Sequence, residues 1–300
     1  MIIIQLRGGL GNQMFQYACG TSIASRLGVK LKLDISYMTD KKPRENFTER
    51  DYALNVFNIN NEIASKKEVQ RFVPYSADAS EFTYAWFMFK RTLFCRHRFS
   101  EPAKNPSFYF AEIEQITNNT YIKGYFQNEK YFNFIRDKLL KDFSIRNEID
   151  DNNQNLSNKI NSENAVSIHI RRGDYLNSLN ASLFNLLDID YYKKAIKYIL
   201  KEVENPVFYV FTEDFQWAKT QFAALDIPIT IVDWNIGSQS YLDMILMSRC
   251  KHNIIANSSF SWWGAWLNQY PEKKIIAPQN WFKNPKMNET HIIPSNWIKL

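Results

Sequence analysis

Only three cysteines occur in 300 residues, and they do not group. Cys19, Cys95 and Cys250 lie far apart and lack CxxC or Cys/His spacing, which excludes a disulfide framework and a zinc site. They read as buried thiols of a reducing compartment, so a cytoplasmic location is expected. A long apolar run is also missing. The opening MIIIQLR runs straight into a glycine turn, too short and without the basic flank of a signal peptide or membrane anchor. Neither sign of charge dominates: 37 Lys and Arg against 31 Asp and Glu leave a net +6 spread along the chain. Such a balance favours anionic partners without choosing among phosphates, nucleic acid and lipid.

What is present is a 45% hydrophobic chain, long enough for two α/β domains with separate cores and a cleft between them. Residues 2 to 6 are a short apolar run ending at Gly8, Gly9 and Gly11. Residues 12 to 27 then carry Met14, Tyr17, Ala18, Ile23 and Leu27 at near-helical spacing, and KLKLDI at 30 to 35 alternates as a strand. This is a βαβ opening with parallel strands. Residues 40 to 115 are irregular and carry no assignable period. YIKGYF at 121 to 126 reads as a strand before a helix near 130 to 140. The polar stretch 146 to 164 reads as a linker, giving domains at 1 to 150 and 165 to 300.

Beyond it the alternation is regular. Strands are expected at 165 to 170, 207 to 212, 229 to 234, 253 to 258 and 274 to 278, and helices at 190 to 203, 214 to 223, 239 to 249 and 260 to 269. That pattern makes a doubly wound parallel sheet, whose ligands bind beyond the carboxyl ends of the strands.

The chemistry-bearing residues fall at those ends. His169, Arg171, Arg172 and Asp174 follow the first strand of the second half; two guanidiniums there suit a diphosphate, while surface pairing of the arginines with Asp174 is the plain alternative. Gly9, Gly11 and Asn12 form a turn that lets backbone approach a ligand and aims a helix N-terminus at it. The turn lacks the full GxGxxG order and the P-loop Lys-Ser/Thr, so a purely structural turn is the competing reading. Asn257, Ser258, Ser259, Phe260 and Ser261 end another strand and open a helix, where hydroxyls serve as caps or phosphate ligands. Trp262, Trp263 and Trp266 are either core or a platform for a sugar or base. Asp188 and Asp190 imitate a DxD metal signal, but their place before a Lys-rich helix is explained by capping. Glu213 and Asp214 end a strand and face a ligand, or Asp214 caps the next helix.

Three of these stretches, GGLGNQMFQYA at 8 to 18, HIRRGDY at 169 to 175 and NSSFSWWGAWL at 257 to 267, together resemble the bacterial α-1,2-fucosyltransferase family. YIKGYFQNEKYF at 121 to 132 is similar to a further family segment. The resemblance spans nearly the whole chain and implies two Rossmann-like domains facing a cleft, the GT-B architecture, with the donor domain second. It implies inverting transfer of L-fucose from GDP-fucose to the 2-hydroxyl of a terminal galactose, in O-antigen or capsule assembly at the inner face of the bacterial membrane, with neither metal nor cofactor. By that resemblance Arg171 binds the β-phosphate, Arg172 orients the donor, His169 lies beside the nucleotide, and Ser258 and Ser259 touch phosphate. Asp243 resembles the carboxylate that reads guanine in more distant fucosyltransferases, guanine N1 and N2 being adjacent donors, with a solvent-facing helix aspartate as the plain alternative. Asp174 is the first candidate general base and Glu213 the second.

Other readings compete. A transferase of another GDP-sugar shares every phosphate argument. A non-catalytic sugar- or nucleotide-binding module would use the tryptophans as its platform. The basic, aromatic run at 86 to 99 lacks any nucleic-acid motif. It suits a membrane interface near a lipid-linked acceptor, or is simply a solvated helix.

Overall fold

The structure, a computed structural model, describes residues 1–39, 50–73, 88–90, 92–94, 96–102, 107–173, 184–284, 287 and 291–300. The chain divides into two compact units, Met1–Arg146 and Asn147–Leu300.

The first unit is built on a parallel sheet of β1 (Ile2–Gln5), β2 (Leu31–Asp34), β3 (Glu62–Ile63), β4 (His97–Ser100) and β5 (Thr120–Lys123), in the order β3-β2-β1-β5-β4. Helix α1 (Leu10–Leu27) crosses from β1 to β2 and begins where Gly8, at φ +79°, turns the chain. It ends at Gly28 in the left-handed region, as helix ends favour. Much of α1 is buried, polar positions included: Gln13 and Gln16 are fully enclosed and spend their amides on the backbone of Gly8, Asp51, Ala53, Arg7 and Gly124. That explains why its apolar stripe is faint in sequence. Short helices α2 (Ser36–Thr39) and α3 (Lys66–Gln70) follow β2 and β3. The helix expected near 130 starts late, as α4 (Arg136–Asp142), because Phe132 departs from helical dihedrals and two 3₁₀ turns come first. Within the basic run at 86 to 99, His97 begins edge strand β4 against β5, so its final residues belong to the sheet and not to a surface helix.

In the second unit the order is β11-β10-β9-β6-β7-β8, all parallel, with β6 (Asn164–Ile170), β7 (Pro206–Thr212), β8 (Ile229–Val232), β9 (His252–Ile254), β10 (Ile275–Ala277) and β11 (Ile298–Lys299). Counted from β6, this is the 3-2-1-4-5-6 order of a Rossmann sheet, whose direction of winding reverses between β6 and β9. The polar stretch expected to be a linker holds instead helix α5 (Asp151–Ser162), capped by Asp150 and packed on the helix that follows β8. Its Leu156 and Ile160 are buried; Asn and Asp dominate the rest of its surface, which hid the period. Helices α6 (Ile189–Glu202), α7 (Phe215–Phe222), α8 (Tyr241–Arg249) and α9 (Ser259–Trp266) follow in turn. Asp188 caps α6 by accepting the Tyr191 N–H, the role that the capping reading gave it. Val166, Ile168, Phe208, Val210 and Ile254 form the centre of the core, with Tyr192 and Ile196 from α6 packed over them.

Trp262 and Trp263 are fully buried and Trp266 nearly so, with ring centroids 5.0 to 6.1 Å apart. The Trp262 indole donates to the Ile292 carbonyl at 2.6 Å. They are core, and the platform reading is withdrawn: a buried ring has no face to offer a sugar. Gly264 lets α9 approach α8, since a Cβ there would stand 3.1 Å from Met247. Among the described residues no helix is long and apolar enough to cross a membrane.

Candidate functional site

β6 and β9 are neighbours, so the loops that leave their carboxyl ends bring residues 169 to 173 beside residues 257 to 260. His169 illustrates this: its ring lies 5.6 Å from that of Phe260. The imidazole is buried, and burial, reinforced by the Arg171 charge, holds its pKa down at about 3. It is therefore neutral near pH 7 and cannot serve there as a proton donor in cationic form. Among the described residues its buried Nδ1 has no hydrogen-bond partner.

Arg171 and Arg172 leave β6 on a course set by the acidic pair at the end of β7. Arg171 Nη1 meets Glu213 Oε2 at 2.6 Å, and Arg172 Nε meets Asp214 Oδ2 at 3.0 Å. Asp214 does double duty, because its Oδ1 accepts the Trp217 N–H and caps α7. The Arg172 guanidinium also lies 4.5 Å from the centre of the Trp217 ring, a cation–π contact that fixes the plane of its fork. Gly173 is a close-approach glycine, since a Cβ there would collide with the Glu213 carboxylate. Asp174 lies outside the described residues.

At the end of β9, Ser258 caps α9 by accepting the Phe260 N–H at 3.3 Å. Ser259 is half-buried beside it. Ser261 is fully buried and spends its hydroxyl on the carbonyls of Ala256 and Ser258, which leaves it no part in holding a ligand. Asn257 donates its amide to the carbonyls of Asn185 and Trp281 and so ties two loops under the site. The N-terminus of α9 therefore presents backbone N–H groups at the same strand ends as the two arginines, an arrangement able to hold an anion with two negative groups.

Asp243 belongs to a separate cluster, in the first turn of α8. It is 9% exposed, and burial pushes its carboxyl up to about 7. Asn235, just past β8, donates to its Oδ1 at 2.8 Å and exchanges hydrogen bonds with Asn153 of α5. Reading the sequence missed Asn153 and Asn235: the first sat in the supposed linker, and the second follows a strand end as the signal for ligand residues requires.

In the first unit, Gly9 is the N-cap residue of α1, Gly11 is buried in its first turn, and Asn12 accepts from Gln127 Nε2 at 2.8 Å. Nothing stands within 4 Å of a Cβ on Gly9, whereas one on Gly8 would strike the Asn12 amide. Nearby, the Arg7 guanidinium lies 4.0 Å from the Tyr125 ring centre, and buried Glu101 accepts the Tyr125 and Phe126 N–H groups. Burial raises the Glu101 carboxyl to about 7. Neither Arg7 nor Glu101 was picked out from sequence; Glu101 lies within the stretch, 40 to 115, that showed no period.

Known proteins share this organisation. An O-antigen biosynthesis glycosyltransferase of Escherichia coli, WbnK, is 36% identical over 98% of this chain and 99% of its own. An Escherichia coli alpha-1,2-colitosyltransferase is 34% identical over 100% and 99%. Human galactoside alpha-(1,2)-fucosyltransferase 1 is 22% identical over 46% of this chain and 40% of its own. The fold matches that of the Bradyrhizobium alpha-1,6-fucosyltransferase NodZ, in a crystal soaked with GDP-fucose, at a TM-score of 0.51 and 16% identity over 89% and 92% of the two chains. This is a GT-B glycosyltransferase fold. The family described as Glycosyl transferase family 11 matches residues 1–300 from end to end, and the chain belongs to it.

Proposed function

We propose that this chain is a galactoside α-1,2-fucosyltransferase that uses GDP-fucose. The observation that carries the proposal is the meeting of Arg171 and Arg172 with the N-terminus of α9 at the β6 and β9 strand ends, where a nucleoside diphosphate would find paired donors. The α-1,2 linkage is supported by the activity for which the colitosyl- and fucosyltransferase relatives are named.

In this mechanism the galactose 2-hydroxyl oxygen attacks C1 of the β-linked fucosyl group as the bond from C1 to the diphosphate oxygen breaks. The configuration inverts, and GDP departs with the bonding pair. Charge develops on the leaving phosphate, where Arg171 and the backbone N–H groups of α9 would stabilise it without a metal. The hydroxyl proton goes to a carboxylate, for which Asp174 is our candidate. Glu213 is engaged by Arg171 and is better suited to holding that guanidinium than to taking a proton.

A second donor is favoured by a specific relative. Colitose is fucose without its 3-hydroxyl, so a colitosyltransferase would share the diphosphate and guanine contacts and differ at one sugar position. The test is GDP release in EDTA from GDP-fucose and, separately, from its 3-deoxy counterpart, with lactose or N-acetyllactosamine as acceptor. Acceptor-dependent release from GDP-fucose, abolished in Arg171→Ala, is the expected result; release from the 3-deoxy donor alone would reassign the sugar.

A lipid-linked acceptor is part of the same proposal. Phe89, Leu93 and Phe94 are 53 to 61% exposed, and the Arg96 guanidinium lies 4.6 Å from the centre of the Phe94 ring. Exposed aromatics beside bases suit an anionic membrane surface. Failure to float with anionic vesicles at low salt would remove this part of the proposal.

A further inference from the structure

The polar cluster beyond β8 is more elaborate than capping a helix requires. Asn153 and Asn235 are 1% and 6% exposed and face each other through both edges of their amides: Asn153 Nδ2 donates to Asn235 Oδ1, and Asn235 Nδ2 donates to Asn153 Oδ1, each at 2.8 Å. Every other bond they make agrees with this orientation. Asn153 Nδ2 also donates to Asp150 Oδ2 at 2.7 Å, and Asn153 Oδ1 also accepts the Trp234 indole N–H at 3.1 Å. Flipping either amide would set donor against donor and acceptor against acceptor, so the network admits one arrangement. Its outcome is that Asn235 Nδ2 must point at Asp243 Oδ1, which it reaches at 2.8 Å.

Among the described residues no second donor reaches the remaining oxygen of Asp243. The carboxyl is thus held by one edge, at the carboxyl end of β8, where Rossmann sheets receive their ligands. A carboxylate so presented is complementary to two adjacent N–H donors. Guanine offers such a pair at N1 and N2, hypoxanthine keeps only the first, and adenine has no N1–H at all.

We propose that Asn235, locked in orientation by Asn153, is a positioning residue that aims the Asp243 carboxylate at the N1–H and N2–H edge of guanine and thereby sets the choice of GDP over other purine diphosphates. The inference rests on the reading of Asp243 as the carboxylate that meets the base, and the experiment separates the two.

GDP and IDP affinities are measured by calorimetry for the wild type, Asp243→Asn, Asn235→Ala and Asn153→Ala. IDP lacks the 2-amino group, so the wild type should prefer GDP by about ten-fold or more, the value of a hydrogen bond to a charged group. Asp243→Asn should bring the GDP/IDP ratio close to one. Asn235→Ala and Asn153→Ala should each lower the ratio about five-fold or more while IDP binding changes less, because the diphosphate contacts persist. Loosening of the fold alone would weaken both nucleotides equally. Should the alanine variants not fold, Trp234→Phe decides: it keeps a ring and deletes one bond to Asn153 Oδ1, and the ratio should fall about two- to three-fold. Equal loss of GDP and IDP in the asparagine variants, or an unchanged ratio in Trp234→Phe when they are unfolded, overturns the positioning role. A wild-type ratio in Asp243→Asn overturns the reading of Asp243 itself, and the inference with it.

Discussion

Arg171 and Glu213 meet at 2.6 Å across the carboxyl ends of adjacent strands, and Gly173 is what allows the carboxylate to come so close. The pair keeps a guanidinium ordered before any ligand arrives, but Glu213 also competes with an incoming diphosphate for it. Replacing Glu213 with Gln should therefore leave the fold intact and tighten GDP binding by about two- to five-fold, an effect of the size that a partly exposed ion pair carries. Arg171→Ala should act in the opposite direction and lower kcat by roughly 100-fold or more, as loss of a fixed donor to developing charge does. Calorimetry on the two variants checks the first effect, and turnover under saturating donor the second. Weaker GDP binding in Glu213→Gln would mean that the carboxylate orders the arginine more than it competes for it.

The glycine turn before α1 allows structure and ligand contact to be separated. Gly8 sits at φ +79° with Asn12 against its Cβ position, so Gly8→Ala should destabilise the first unit by about 1–3 kcal/mol. Gly9 has ordinary dihedrals and open space, so Gly9→Ala should keep the wild-type Tm. If backbone at this turn touches the donor, Gly9→Ala should still weaken GDP-fucose binding. Unchanged affinity would leave the turn a structural feature only.

Trp262 should behave as core. Truncation to alanine in a packed site costs about 3–5 kcal/mol, so Trp262→Ala should unfold the second unit or lower its melting temperature severely. A stable, soluble variant that lost only sugar binding would restore the platform role.

Acidity should affect nucleotide binding through Asp243. Burial pushes its carboxyl up to about 7, and under the proposed reading it is the ionised form that meets guanine. GDP affinity should thus fall as pH drops through about 7, with no such step in Asp243→Asn. For stability the sign is reversed: a raised folded pKa means that the unfolded chain loses this proton first. The contribution of Asp243 to stability therefore declines between about 4 and 7 as pH rises, and is constant above that.

The second unit was largely legible from the sequence because its inner strands β6, β7, β9 and β10 are buried on both faces and read as apolar runs rich in β-branched and aromatic residues. VFYVFT became β7 and KIIAP became β10. The weaker signals had physical causes. Helix α5 buries only Asn153, Leu156, Ser157 and Ile160, so its Asn-rich surface imitated a linker. Phe132, with non-helical dihedrals, interrupts the helix that the sequence pattern predicts near 130 to 140. The arginines and the serine cap were visible because they lie just past strands. Asn153 was not, since its role arises from a partner 82 residues away in sequence. The tryptophans were ambiguous because an aromatic cluster looks the same in sequence whether it faces a core or a ligand.

The pairing of β6 with β9 joins segments more than 80 residues apart by a ladder of main-chain bonds, Val166 opposite His252 and Ile168 opposite Ile254. The placement of residues 169 to 173 beside 257 to 260 is thereby set by backbone that is indifferent to side-chain identity. Within such a frame, a change of transferred sugar can arise from exchange of a few side chains at the rim, with no refitting of the strands beneath. Relatives bearing the names of fucosyl and colitosyl enzymes on one architecture are what such a division between a fixed chassis and replaceable tooling would produce.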